Sequence, residues 1–82
     1  MRIVSFIITS QPDVILADVL RMQRAREFES AKRRLDRFQE LYPKDVRGLT
    51  YLAGIQRVEG DRKGALESYR AALRKVPNDP LA

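Results

Sequence analysis

Apolar side chains recur at steps of three and four residues through much of this chain. Leu49, Leu52 and Ile55 make one such series, and Leu66, Tyr69, Leu73 and Val76 make the next. Steps of that size put side chains on one face of an α-helix, so both series predict amphipathic helices whose large apolar residues fill the space between them. Ala31, Ala65 and Ala72 supply the small contact points at which two antiparallel helices approach closely. Pro43 and Pro77 end their helices, because the ring removes an amide donor and disfavours helical geometry in the residue before it. Asp45 and Asp79 are placed to cap the exposed amides of whatever helix follows, and Pro80 suits a first helical position.

The pattern also repeats as a whole. Residues 46–79 answer residues 12–45 at an offset of 34, with Ala31 matched by Ala65, Pro43 by Pro77 and Asp45 by Asp79. In the second copy Leu49, Leu52, Ala53, Ala65, Tyr69 and Pro77 sit at the spacings of W-x2-L-G-x2-Y…A-x3-F…P, and on these residues the chain resembles the tetratricopeptide repeats. Gln56 departs at an aromatic position, while the Gly60-Asp61 turn looks like the family's usual linker. The first copy reads Ile15, Asp18, Val19, Met22, Ala31, Leu35 and Pro43 at the same places, with Asp18 where leucine is usual. The resemblance covers about residues 12–79. It implies an all-α fold of two tandem helix-turn-helix hairpins, 12–45 and 46–79, in a right-handed superhelical stack, with 80–82 opening a further repeat. About three repeats are needed for stability in such arrays, so the chain reads either as a piece of a longer array or as a unit completed by self-association.

Residues 1–11 lie outside the repeat. Ile3, Val4, Phe6, Ile7 and Ile8 form a β-branched and aromatic run that reads locally as a strand. Four readings stand open: the tail of a signal peptide, a disordered segment, an extension folded back over the first hairpin, or a self-association element that pairs with another chain. No apolar stretch approaches the roughly 18 residues that cross a bilayer.

Composition narrows the chemistry. The 82 residues make one small domain with a modest core. Cysteine and histidine are absent, which removes disulfides, thiol chemistry, Cys/His zinc sites and every mechanism with a histidine base. Sixteen Lys and Arg against 11 Asp and Glu give a formal charge of +5, and the pI near 10.1 favours an acidic partner. Positive clusters stand at Arg21, Arg24 and Arg26, and at Lys32, Arg33, Arg34 and Arg37. Acidic residues interrupt both, and Glu29 with Arg33, Lys32 with Asp36 and Lys63 with Glu67 fall at helical i,i+4 spacing.

Nothing in the sequence assembles a catalytic site. There is no Gly-rich phosphate loop, Asp36 and Glu40 are flanked by Lys32 and Arg37, and Ser30 and Ser68 have no base to activate them. No cofactor is expected and an enzyme is not. The resemblance implies instead a scaffold that holds a peptide or partner helix in a concave groove. Its groove positions here are Arg47, Thr50, Gly54, Arg57 and Val58 in the second copy, and Asp13, Leu16, Leu20, Gln23 and Arg24 in the first. Leu16 and Leu20 serve equally to meet a ligand or to lie under the N-terminal segment. The Lys, Asn and Arg clamp by which some members hold a C-terminal carboxylate is missing, since Leu16, Leu20, Thr50 and Gly54 occupy its places. Gly54 in mid-helix reads either as a notch for close approach or as a tolerated weak point. Two further functions stay in view: a basic nucleic-acid or anionic-surface binder, and a structural homo-oligomer held by its apolar N-terminus.

Overall fold

The computed structural model describes residues 11–75. Four α-helices make up most of that span: α1 (Gln11–Arg24), α2 (Phe28–Leu41), α3 (Arg47–Glu59) and α4 (Arg62–Lys75). No strand occurs among the described residues. The chain is all-α, and it folds as two helical hairpins, α1–α2 and α3–α4, with α3 packed in turn on α2. The expected strand or docked extension in 1–11, the helix end at Pro77, the cap at Asp79 and the place of Val76 fall outside the described residues.

Both hairpins turn in the same way. After α3, the Gly60 amide bonds to the Arg57 carbonyl at 3.1 Å and the Asp61 amide to the Gln56 carbonyl at 2.8 Å, with Gly60 left-handed at φ 90°. After α1, the Arg26 amide bonds to the Gln23 carbonyl at 3.0 Å and the Glu27 amide to the Met22 carbonyl at 2.9 Å, with Arg26 at φ 63°. These are two Schellman closures whose residues correspond at the 34-residue offset. Glycine adopts the required left-handed backbone freely, whereas at Arg26 the Cβ makes it strained. The Arg26 guanidinium lies over the Phe28 ring at 5.4 Å, a cation–π contact that offsets part of that strain.

Capping explains where the second hairpin's helices begin. Asp61 Oδ1 accepts the Gly64 amide at 2.9 Å, and Asp45 Oδ1 accepts the Arg47 amide at 3.0 Å. Asp45 was expected to cap α3; it stands one residue before the N-cap, Val46, which makes no side-chain cap bond, and reaches only the first helical amide. Glu27, at the position matching Asp61, makes no side-chain cap bond. Helix α2 closes before Pro43 as expected, its last turn completed by the Tyr42 amide on the Phe38 carbonyl at 2.8 Å.

The core lies among α1, α2 and α3. Leu16, Val19, Ala31, Leu35, Phe38 and Ile55 are buried together, and Phe28, Tyr42, Tyr51 and Leu52 pack around them. Contact between α2 and α3 is close at Gly48. A Cβ there would stand 2.8 Å from Gln39 Cγ and 3.0 Å from the Phe38 ring, so the absence of a side chain is what lets the backbone of α3 reach Phe38.

Helix α4 corrects one expectation. Its large apolar series does not fill the core: Leu66, Tyr69 and Leu73 are 51%, 38% and 71% exposed, and the buried face is Ala65, Ser68 and Ala72. Small residues let α4 lie close against α3, and the large ones then project along the flank of that contact. The two departures from the repeat pattern also find an account. Asp18, where leucine is usual, holds Arg34 across the α1–α2 interface and Arg21 on its own helix. Gln56, at the aromatic position, accepts a hydrogen bond at 2.7 Å from the largely buried Ser68 hydroxyl across α3–α4. Each hairpin thus uses a polar cross-link where the pattern has apolar bulk, and the 34-residue register holds through Asp18.

Candidate binding surface

Helical spacing places Asp13, Leu16, Leu20, Gln23 and Arg24 along one stripe of α1, and Arg47, Thr50, Gly54, Arg57 and Val58 along the matching stripe of α3. Arg47 joins the two. Its Nη1 donates to Asp13 Oδ1 at 2.9 Å, while Nη2 and Nε donate to Asp45 Oδ2 and Oδ1 at 2.7 and 3.0 Å. A planar fork facing a carboxylate gives this bidentate geometry, and the third bond fastens α1 to α3 at one end.

The charge of Arg47 is thereby spent within the fold. Hydrogen bonds donated to Asp45, and then to Asp13, hold the guanidinium further above its usual pKa. Hydrogen bonding from Arg47 in turn keeps the Asp45 carboxyl below its ordinary value, against the opposing effect of its burial. Arg47, expected at a groove position, is paired with both carboxylates while its side chain stays 42% exposed. Leu16 is taken up by the core, at 2% exposure, and not offered on a surface.

The rest of the stripe is accessible. Leu20, Gln23, Thr50 and Gly54 are half-buried, and Arg24, Arg57 and Val58 are exposed. At Gly54 a Cβ would meet nothing within 4 Å among the described residues, so none of these neighbours requires glycine there. The self-association residues Ile3, Val4, Phe6, Ile7 and Ile8 lie outside the described residues.

Two other surfaces carry chemistry. On α2, Arg33, Arg34 and Arg37 line an open concavity of about 340 Å³ with Ser30 and Met22. Arg34 is engaged there by Asp18. On the second hairpin, Arg57 of α3 with Arg62, Ala65, Leu66 and Tyr69 of α4 lines an almost wholly apolar concavity of about 360 Å³. Lys32 stands apart from both. Its Nζ donates to Glu59 Oε1 at 3.0 Å, which raises the Lys32 pKa above its usual value and pins the end of α3 to α2. The predicted pairing of Lys32 with Asp36 is not formed, because Glu59 and, at 3.5 Å, Glu29 take the ammonium instead.

The sequence pattern did not disclose the Asp18–Arg34 link, the Ser68–Gln56 bond or the left-handed Arg26. Reading Arg26 against Gly60 at the 34-residue offset was the available signal for the last of these. Among the described residues no group of three or more Asp, Glu, His or Cys is placed to hold a metal ion, and no helix is long and apolar enough to cross a membrane. No protein-family profile, no curated protein and no solved structure matches the chain.

Proposed function

We propose that this chain is a non-catalytic protein-binding module of the tetratricopeptide-repeat kind, taking a peptide or partner helix along the paired stripes of α1 and α3. The observation that carries this reading is the Arg47 junction with Asp13 and Asp45. It ties one end of the α1 stripe to the α3 stripe, which supports reading the two as one surface, with open space at Gly54. Leu20 and Val58 provide apolar contact, Gln23 and Thr50 provide hydrogen bonding, and Arg24 and Arg57 provide charge for an acidic or amphipathic segment.

The test is a pair of substitutions that leave the core alone. Gly54→Leu fills the notch with a good helix former, and Arg24→Glu reverses an exposed charge. The double variant is expected to keep its helical circular dichroism and to lose the protein partner that the unmodified chain captures. Capture that survives both changes would remove the trough from consideration.

A second reading, an anionic-surface or nucleic-acid binder, is favoured by the concavity that Arg33, Arg34 and Arg37 share with Ser30. It requires binding that weakens steeply with salt, because counterion release dominates such affinity. An absent mobility shift with DNA or RNA at low salt would dismiss it. The third reading, a homo-oligomer through the apolar N-terminus, is tested by light scattering on the intact chain and on a form that starts at Gln11.

A further inference from the structure

We propose that the outer face of α4 is a docking site for an acidic amphipathic helix from a protein partner, seated on α4 as α3 is seated on α2. This surface adjoins the α1–α3 trough at Arg57, and it rests on a different observation.

The argument runs through the internal repeat. Lys32, Leu35 and Gln39 are the α2 residues on the side toward α3: Leu35 is buried in the core with Ile55, Lys32 is bonded to Glu59, and Gln39 would touch any side chain added at Gly48. The residues 34 positions later are Leu66, Tyr69 and Leu73, the three large apolar residues of α4 that stand exposed. The second hairpin therefore presents, more apolar than in the first, the same face on which the first hairpin receives a helix. Burying Leu66, Tyr69 and Leu73 removes apolar area from water, and a half-exposed tyrosine beside a concavity is the kind of anchor that dominates helix-in-groove contacts.

Charge selects the occupant. Helix α4 carries Arg62, Lys63, Arg70, Arg74 and Lys75 against Glu67 alone. Lys63, Arg70 and Arg74 stand where α2 has Glu29, Asp36 and Glu40, so the surround of this face has changed sign between the hairpins. Arg57 and Arg62 border the concavity itself. The seated α3 shows what fits: an aliphatic residue, Ile55, enters beside Leu35, and a carboxylate one turn later, Glu59, reaches a cation. Transferred to α4, an aliphatic side chain enters against Ala65, Leu66 and Tyr69, and a nearby carboxylate meets Arg62. Helix α1 of a second copy is a poor match. It has Asp18 and Arg21 where α3 has Leu52 and Ile55, so it would bring charged groups, one of them a cation, against an apolar face ringed with cations.

The experiment uses a fluorescently labelled synthetic helix with Leu and Ile at i, i+3, i+4 and i+7 and Glu elsewhere, and a scrambled peptide of the same composition. Anisotropy on the whole chain is expected to show saturable binding of the patterned peptide only. Leu66→Glu with Leu73→Glu is expected to weaken it about tenfold or more, with Leu66→Ser and Leu73→Ser as a milder pair that gives the same ranking. Gly54→Leu, which blocks the trough, is expected to leave this affinity unchanged, so the two surfaces succeed or fail separately. The proposal is overturned by equal binding of the scrambled peptide, by no binding, or by an affinity that ignores both α4 pairs. It is also overturned by light scattering that shows a dimer of the unmodified chain dissolved by the same substitutions, which would assign the face to a second copy.

Discussion

Arg26 and Gly60 hold the same place in two copies of one turn, and only one of them suits it. An L-residue in the left-handed region is disfavoured by about 1 kcal/mol or more, and the stacking of Arg26 on Phe28 returns about 0.5 kcal/mol at an exposed site. Arg26→Gly should therefore raise stability to urea by roughly 0.5–1 kcal/mol, while a lower midpoint would mean that the stacking outweighs the strain. The helical glycines divide in the opposite sense. Gly54→Ala gains helix propensity with nothing in the way and should stabilise by about 1 kcal/mol. Gly48→Ala gains the same propensity but drives a methyl into Phe38 and Gln39, and overpacking of that kind typically costs about 1–3 kcal/mol. Thermal melts of the two variants should move in opposite directions. Gly64 is a third case, since a Cβ there would stand 2.3 Å from the Asp61 carboxylate that caps the same helix, so propensity gained is cap lost.

Among the elements, α2 is the one the others depend on. It packs against both α1 and α3 and supplies Ala31, Leu35 and Phe38, all fully buried. Phe38→Ala should cost about 3–5 kcal/mol, which in so small a domain is much of the total stability. The variant is expected to lose most of its helical signal at room temperature. Helix α4 is the contrast, because Leu73 is as apolar as any core residue yet projects away from α3. Leu73→Glu should change stability by no more than about 0.5 kcal/mol, and a larger loss would show that its side chain is buried in solution. Equal hydropathy at Phe38 and Leu73 thus carries unequal weight, and the difference is whether a further helix lies against the face.

At the scale of the whole molecule, the Asp13–Arg47–Asp45 cluster fastens one hairpin to the next and makes that junction sensitive to acid. Arg47 depresses the Asp45 pKa in the folded chain below the ordinary 3.8. A carboxyl depressed by folding contributes stability that is fully present above its unfolded value and lost as the pH falls through the folded one. The melting temperature should therefore hold near neutral pH and decline below about pH 4, and Asp45→Asn should remove part of that decline. An unchanged acid limb in the Asn variant would mean that the Asp45 bond to Arg47 contributes nothing to stability. Lys32 has the opposite sign: Glu59 raises its pKa, so its contribution persists below 10.5 and fades only in stronger alkali.

Local pattern alone determined the all-α fold and the helix ends at Gly60 and Pro43. Helical periodicity, left-handed turns and capping are properties of a few neighbouring residues, so they are legible in order along the chain. The 34-residue echo likewise announced that one hairpin is followed by another of the same kind. Only the tertiary structure decided which apolar face is buried, since burial depends on what stands opposite and not on the face itself. It sent Leu16 into the core, turned Leu66, Tyr69 and Leu73 outward, and committed Arg47 to two carboxylates from different segments. Asp18 shows the same limit from the other side: in sequence it is a charge in an apolar position, and it becomes a link once α2 brings Arg34 within reach.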